Sequence, residues 1–168
     1  MQTCLKHSLY IAAIFSFGLL GSCSSDDPKR ALRQSLAELV TAVENKKHRA
    51  VINKLTPNFR GNHHFDQQTM SALVFRYYLR HKFIKIYTLV NSIEIKDLKA
   101  GMVFHAVLTS TENALPEHMR AFRINSRWEL KDKEWIMAEA NWVEVLPRTI
   151  YPEIKPLMEK QSVQLQQD

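Results

Sequence analysis

The stretch FRINSRWELKDKEWIMAEANWV, Phe122 to Val143, decides the fold. Asp132-Lys133 interrupts two runs in which apolar and polar residues alternate, the pattern of an antiparallel hairpin closed by a two-residue turn. Setting Lys131 opposite Glu134 brings Leu130 across from Trp135, Trp128 from Met137 and Ser126 from Glu139. Ile124 then opposes Asn141, and Phe122 opposes Val143. Alternate residues of a strand point to the same side, so these side chains are expected on one sheet face. The other face would carry Arg123, Asn125, Arg127 and Glu129 against Ile136, Ala138, Ala140 and Trp142. Sliding the whole pairing by one residue would mix charged and apolar groups on both faces, which favours this register.

Upstream of the hairpin, Met102 to Thr111 reads as a strand whose Met102, Phe104, Ala106 and Leu108 extend the apolar face. Ile84 to Lys96 reads as another, with a turn at Asp97 to Gly101; Glu112 to His118 is a loop. Before Phe83 the apolar period is helical. Asp27 is a candidate N-cap with Pro28 in the first turn, and Leu32, Leu36, Leu39, Val40 and Val43 mark a helix to about Lys47. A short helix is expected over His48 to Leu55, ended by Thr56-Pro57-Asn58, because proline disfavours helix in the residue before it. Asp66 can cap a third helix carrying Met70, Leu73, Val74 and Tyr77. Its basic end (Arg76, Arg80, His81, Lys82) reads as a solvated helix terminus, a place the helix dipole favours for cations. Helices followed by hairpin-linked strands predict an α+β domain over 28–146: three helices packed on a curved antiparallel sheet of about four strands. Pro147, Pro152 and Pro156 break up residues 147–168, expected to be mobile or partly helical.

In that register Ser126, Glu139 and Asn141 interrupt a face otherwise built from residues such as Trp128 and Phe104. A buried carboxylate needs partners or a raised pKa, so either a pocket admits water and ligand there or the helices supply structural partners. Ser126, Glu139, Asn141, Trp128 and Phe104 are therefore the candidate ligand pocket, and Arg123, Arg127 and Trp142 on the other face the candidate interface.

At the N-terminus, Lys6 and His7 precede an uncharged apolar run from Ser8 to Leu20, and Leu20-Gly21-Ser22-Cys23 follows. The run is the length of a secretory h-region, ~7–15 residues, and short of the ~20 a membrane span needs. Leu20 to Cys23 resembles a bacterial lipobox. That resemblance implies a signal peptide over 1–22, lipid (diacylglycerol and an amide-linked acyl chain such as palmitate) on Cys23, and a tether over 23–27. Ser24 after the cysteine, where an aspartate marks inner-membrane retention, implies the outer membrane, facing the periplasm. Two or more acyl chains are enough for stable anchoring. Cleavage leaves 146 of the 168 residues and lowers the net charge from +6 to +5, because one Lys and no acid are lost. Cys4 and Cys23 are the two cysteines, so the mature domain would hold no free thiol, disulfide or Cys-ligated metal. Anionic envelope surfaces suit the charge, and nucleic acid is not an expected partner.

Ala31-Leu32 through Asn45, Leu55-Thr56-Pro57-Asn58-Phe59, Arg127-Trp128-Glu129-Leu130 and Glu134-Trp135-Ile136-Met137 resemble, in their order, the nuclear-transport-factor-2-like superfamily. It includes SnoaL and ketosteroid-isomerase-like proteins. The resemblance, over Pro28 to Leu146, implies a cystatin-like cone in which a curved sheet wraps the first helix around a pocket, with dimerisation through the outer sheet face common. Isomerase-like members use an aspartate inside a strand. Here Asp66, Asp97 and Asp132 fall at a helix start or turns, leaving Glu139 to stand in as acid/base and Tyr87 as a conceivable proton donor.

Other chemistry finds little support. His63-His64 point apart if extended and lack partners at metal-ligand spacing, so no metal or cofactor is expected. With four glycines, neither a phosphate loop nor a nucleophile elbow is present. The leading expectation is a membrane-anchored, non-enzymatic binding domain for a small apolar or amphipathic ligand or an envelope protein. The alternatives are an isomerase or dehydratase using Glu139, and a structural envelope component acting through its outer sheet face, as a homodimer or with another protein.

Overall fold

A computed structural model of the chain describes residues 27–62, 64–110 and 119–164, with side chains to residue 160. Cys23 with the expected signal peptide and the tether up to residue 26, His63, and residues 111–118 with His118 lie outside the described residues. The elements are α1 (Pro28–Glu44), α2 (His48–Asn53), β1 (Leu55–Gly61), α3 (Gln67–Arg80), β2 (Lys85–Lys96), β3 (Lys99–Thr109), β4 (Met119–Lys131), β5 (Glu134–Val145) and α4 (Pro147–Gln164).

Asp27 caps α1, its carboxylate accepting from the Lys29 amide at 3.0 Å, and Pro28 occupies the first turn. Asp66 caps α3 in a reciprocal box with Thr69. The β4–β5 hairpin closes at Asp132-Lys133, both with positive φ (51° and 69°), which matches the right-handed twist of the flanking strands.

The sheet is one curved, open layer in the order β1-β5-β4-β3-β2. It is α+β as expected, with a fifth strand that pattern reading missed. Thr56, Pro57 and Asn58 lie inside β1, which pairs parallel to β5, rather than serving as a helix stop. A proline is compatible with an edge strand because its missing N–H faces no partner. Two one-residue bulges bend the sheet. On β2, Asn91 is unpaired between Val90↔Phe104 and Ser92↔Val103; on β5, Ala138 is unpaired between Met137↔Trp128 and Glu139↔Arg127.

The inner face packs against α1. Leu32 and Leu36 meet Met102, Phe104, Trp128 and Trp135, all buried. Two polar ties fasten the helical layer. Lys54 reaches Glu38 at 2.7 Å and Glu134 at 3.4 Å, and Lys46, itself at positive φ, donates to the terminal carbonyls Tyr78 O (3.1 Å) and His81 O (2.6 Å) of the α3 end.

Residues 147–164 form α4, which lies on the outer face across the end of β2, β3 and β4. Ile150 and Ile154, four apart, are buried against Val107, Met119 and Ala121. Pro152 and Pro156 fall on its exposed side, and each removes one backbone hydrogen bond from the helix. Truncating Ile154 removes a fully enclosed branched side chain, so Ile154→Ala is expected to cost about 2–5 kcal/mol in chemical denaturation. A loss under about 0.5 kcal/mol would mean that α4 does not dock there.

Candidate functional site

The five residues expected to share a pocket are separated by the β5 bulge. Up to Trp128↔Met137 the pairing is as the alternation predicts. Beyond it Arg127 opposes Glu139, Ser126 opposes Ala140, Asn125 opposes Asn141 and Ile124 opposes Trp142. One unpaired residue inverts the facing of everything after it on β5. Glu139 and Asn141 therefore lie on the outer face, and Trp142 turns inward. This corrects two expectations, Glu139 and Asn141 in the pocket and Trp142 at the outer interface. The signal was present in the sequence, since the large apolar residues change parity from Trp135 and Met137 to Ala140 and Trp142.

Ser126, Trp128 and Phe104 do lie together, in the packed interior. The Trp128 indole N–H donates to Ser126 Oγ at 2.9 Å, and that hydroxyl donates to the Met102 carbonyl at 3.0 Å. Ser126 satisfies a buried indole and joins two strands. With Trp128 only 1% exposed, this end of the cone is filled by its own side chains.

On the outer face Arg127 donates to Glu139 Oε2, and Asn141 Nδ2 donates to Glu139 Oε1 at 2.7 Å. Arg127 and Glu139 border an open groove of about 630 Å³ whose lining includes Arg60, Glu94, Lys99 and Glu129. Arg123 is exposed on the same face. Tyr87 also faces outward, near α4, six positions along the strands and three strands across from Glu139, roughly 25 Å away. Burial, then the charge of Glu44, raises its pKa. Neither position nor acidity suits it to pass a proton to a molecule held by Glu139.

The opposite end of the inner face is built differently. Ile86, Leu108, Phe122, Ile124 and Trp142 point inward by alternation and register, and all remain partly exposed. Leu39 and Val40 of α1 and Met70 of α3 are also partly buried against the core here. Above this apolar wall Arg120 grips Glu144 in a two-pronged pair, Nε to Oε1 and Nη2 to Oε2, each 3.0 Å. The guanidinium also stands 5.1 Å from the centre of the Phe122 ring. Hydrogen bonding to Arg120 holds the Glu144 carboxyl below its ordinary range, while burial raises Tyr77 and the nearby Arg120 charge partly offsets that rise.

Trp142 is held by three devices that pattern reading missed. Asn62, at positive φ (41°), continues the β1–β5 ladder with its side chain: Nδ2 donates to the Trp142 carbonyl at 3.1 Å and Oδ1 accepts its amide at 2.8 Å. Phe65 lies 5.5 Å away, ring to ring. Gly61 leaves room for the indole, since a Cβ there would stand 3.0 Å from Trp142 Cζ3 and 3.2 Å from buried Phe59. Among the described residues no three His, Cys, Asp or Glu side chains gather as a metal-binding group.

No family model and no curated protein matches the chain. Solved structures do. Bd1075 of Bdellovibrio bacteriovorus superposes with a TM-score of 0.63 at 12% identity over 74% of this chain, which spans 43% of that protein. A nuclear-transport-factor-2-like protein of unknown function from Shewanella oneidensis gives 0.58 at 14% identity over 68% of this chain and 98% of its own. The hexachlorocyclohexane dehydrochlorinase LinA-type3 of Novosphingobium barchaimii gives 0.56 at 12%, over 70% and 86%. The chain thus has the nuclear-transport-factor-2-like fold, one that serves enzymes as well as proteins without a known reaction.

Two outcomes test this geometry. Gly61→Ala crowds both the indole and the Phe59 ring and is expected to cost about 1–3 kcal/mol while altering Trp142 emission; unchanged emission and stability would rule out the close approach. Glu144 has a depressed pKa, so its pairing contributes above pH 4.5 and is lost as pH falls through its folded value. Arg120→Gln should move its NMR titration midpoint up toward the ordinary 4.5, and no movement would mean the pair does not form in solution.

Proposed function

We propose that the chain is a lipid-anchored domain of the bacterial envelope, facing the periplasm from the outer membrane, which holds a small apolar or amphipathic molecule without converting it. The observation that carries the binding reading is the unequal filling of the cone. One end is sealed by Trp128, Met102 and Trp135, whereas Phe122, Ile124 and Trp142 stay partly exposed beneath the Arg120–Glu144 rim. Exposed apolar walls with a few oriented polar groups are the usual make-up of a small-molecule site. An acyl or other hydrocarbon body would lie on the wall, and a polar head would meet the rim.

The anchoring reading rests on Leu20-Gly21-Ser22-Cys23 and the apolar run before it. The isomerase or dehydratase alternative draws on the dehydrochlorinase with the same fold. Against it, Glu139 is turned outward and tied to Arg127 and Asn141, and geometry precedes pKa in assigning a base. Action on a protein partner through the outer face would use Arg123 and Arg127, without Trp142.

The experiment is native mass spectrometry of the membrane-extracted protein, followed by titration of the delipidated chain with lauric acid. Expected are a chain beginning at a Cys23 that carries the diacylglycerol and the amide-linked acyl chain, a co-purifying small molecule, and a Trp142 emission change on titration that Trp142→Phe abolishes. Ile124→Lys should weaken binding at least about tenfold, the value of burying a few methylenes. An empty protein with no lauric acid response overturns the binding reading. An intact Met1 with an unmodified Cys23 overturns the anchoring reading separately.

A further inference from the structure

The solvent side of α3 carries an apolar surface that the fold does not use. Phe75 is 53% exposed, Leu79 73% and Phe83 46%; the first two are four residues apart, one helical turn, and the third follows the helix end. Three of the seven large apolar side chains left exposed among the described residues thus fall within nine residues. That concentration is unlike the scattered exposure ordinary surfaces show.

Charge identifies the occupant. From Gln67 to Ile93 the sequence contains Arg76, Arg80, Lys82 and Lys85 and no Asp or Glu. Arg76, Arg80 and Lys82 are exposed, and none of them enters an ion pair among the described residues. Lys82 Nζ instead stands 5.2 Å from the Phe83 ring centre. From α2, His48 packs edge-on against Phe75 at 6.0 Å, and its neighbours Lys47 and Arg49 are exposed. A second copy would bring these cations against their own images. An anionic bilayer accepts both features at once, rings and leucine sinking below the headgroups while basic side chains reach up to phosphate.

We infer that α3 is a membrane-docking helix, lying in the interface of an anionic lipid surface through Phe75, Leu79 and Phe83, with Arg76, Arg80 and Lys82 on the phosphates. No described helix is long and apolar enough to cross a membrane, so this contact is peripheral. It goes beyond the binding reading and stands without the lipid at Cys23. With that lipid it also orients the domain. Lys46, just after α1, grips the end of α3, so the patch lies a helix length, about 25 Å, from the α1 start where the tether joins. Two attachments that far apart lay α1 along the membrane, and Lys29, Arg30 and Arg33 are exposed at its tethered end despite the unfavourable dipole there.

The test uses the full chain with Cys4→Ser and Cys23→Ser, so that Leu79→Cys supplies the single thiol for a polarity-sensitive dye. A second protein carries the dye through Leu98→Cys on the distant β2–β3 turn. Both positions are well exposed, so neither label removes a core contact. On phosphatidylglycerol-containing vesicles the dye at 79 should shift blue and be quenched by lipid-borne quencher, and the dye at 98 should not. On phosphatidylcholine vesicles, or with Arg76, Arg80 and Lys82 all changed to Gln, docking should weaken by about a hundredfold, near fivefold per cation. A dye at 79 that stays water-exposed on anionic vesicles, or shifts equally on neutral ones, overturns the inference. A blue shift without vesicles, accompanied by a dimer in native mass spectrometry, overturns it in favour of a second copy.

Discussion

The unpaired Ala138 on β5 is the constraint on which the arrangement of this molecule depends. A strand has two faces and a period of two, so one inserted residue exchanges inside for outside over the rest of its length. Before it, Trp135 and Met137 face the core; after it, Ala140 and Trp142 do. The same residue releases Glu139 from a place where its charge would need burying and sets it beside Arg127 at the surface. Without the bulge the interior would hold a carboxylate and an amide, and a large indole would be in water. The inversion is thus favoured on both faces together, which is why so small an irregularity can be held firmly.

Much of the fold was legible because its signals are local. Asp27-Pro28 and Asp66 announce helix starts through hydrogen bonds made within three residues. Asp132-Lys133 announces a hairpin whose pairing is counted outward from the turn. What escaped depends on distant partners. β1 exists because β5 offers it an edge, and no property of Thr56-Pro57-Asn58 reveals that edge. α4 exists because Val107, Met119 and Ala121 provide a seat for Ile150 and Ile154, which outweighs two prolines. The candidate site suffered most, since its membership was an alternation argument carried past the bulge. Ser126, Trp128 and Phe104 face the packed interior, while Glu139, Asn141 and Trp142 each lie on the side opposite to the one the alternation gave.

The two ends of the cone show how one fold divides labour. At the sealed end, Trp128, Ser126 and Met102 form a chain of hydrogen bonds inside close packing, where any substitution disturbs neighbours on three strands. At the other, Trp142 is held from β1 by Asn62 and Gly61, so a rigid aromatic wall stands without being covered. Stability is concentrated in the first region and partly exposed apolar surface in the second. Changes at the rim can therefore alter what the wall meets with little effect on the scaffold.

β2 ends the sheet with twelve residues whose outer backbone groups have no sheet partner. Such an edge invites another chain to add a strand. The kink at Asn91 spoils the straight template that a recruit would need, and Glu94 and Lys96 make the remaining half awkward to match. The irregularity that bends the cone also keeps neighbouring molecules from fusing into a common sheet.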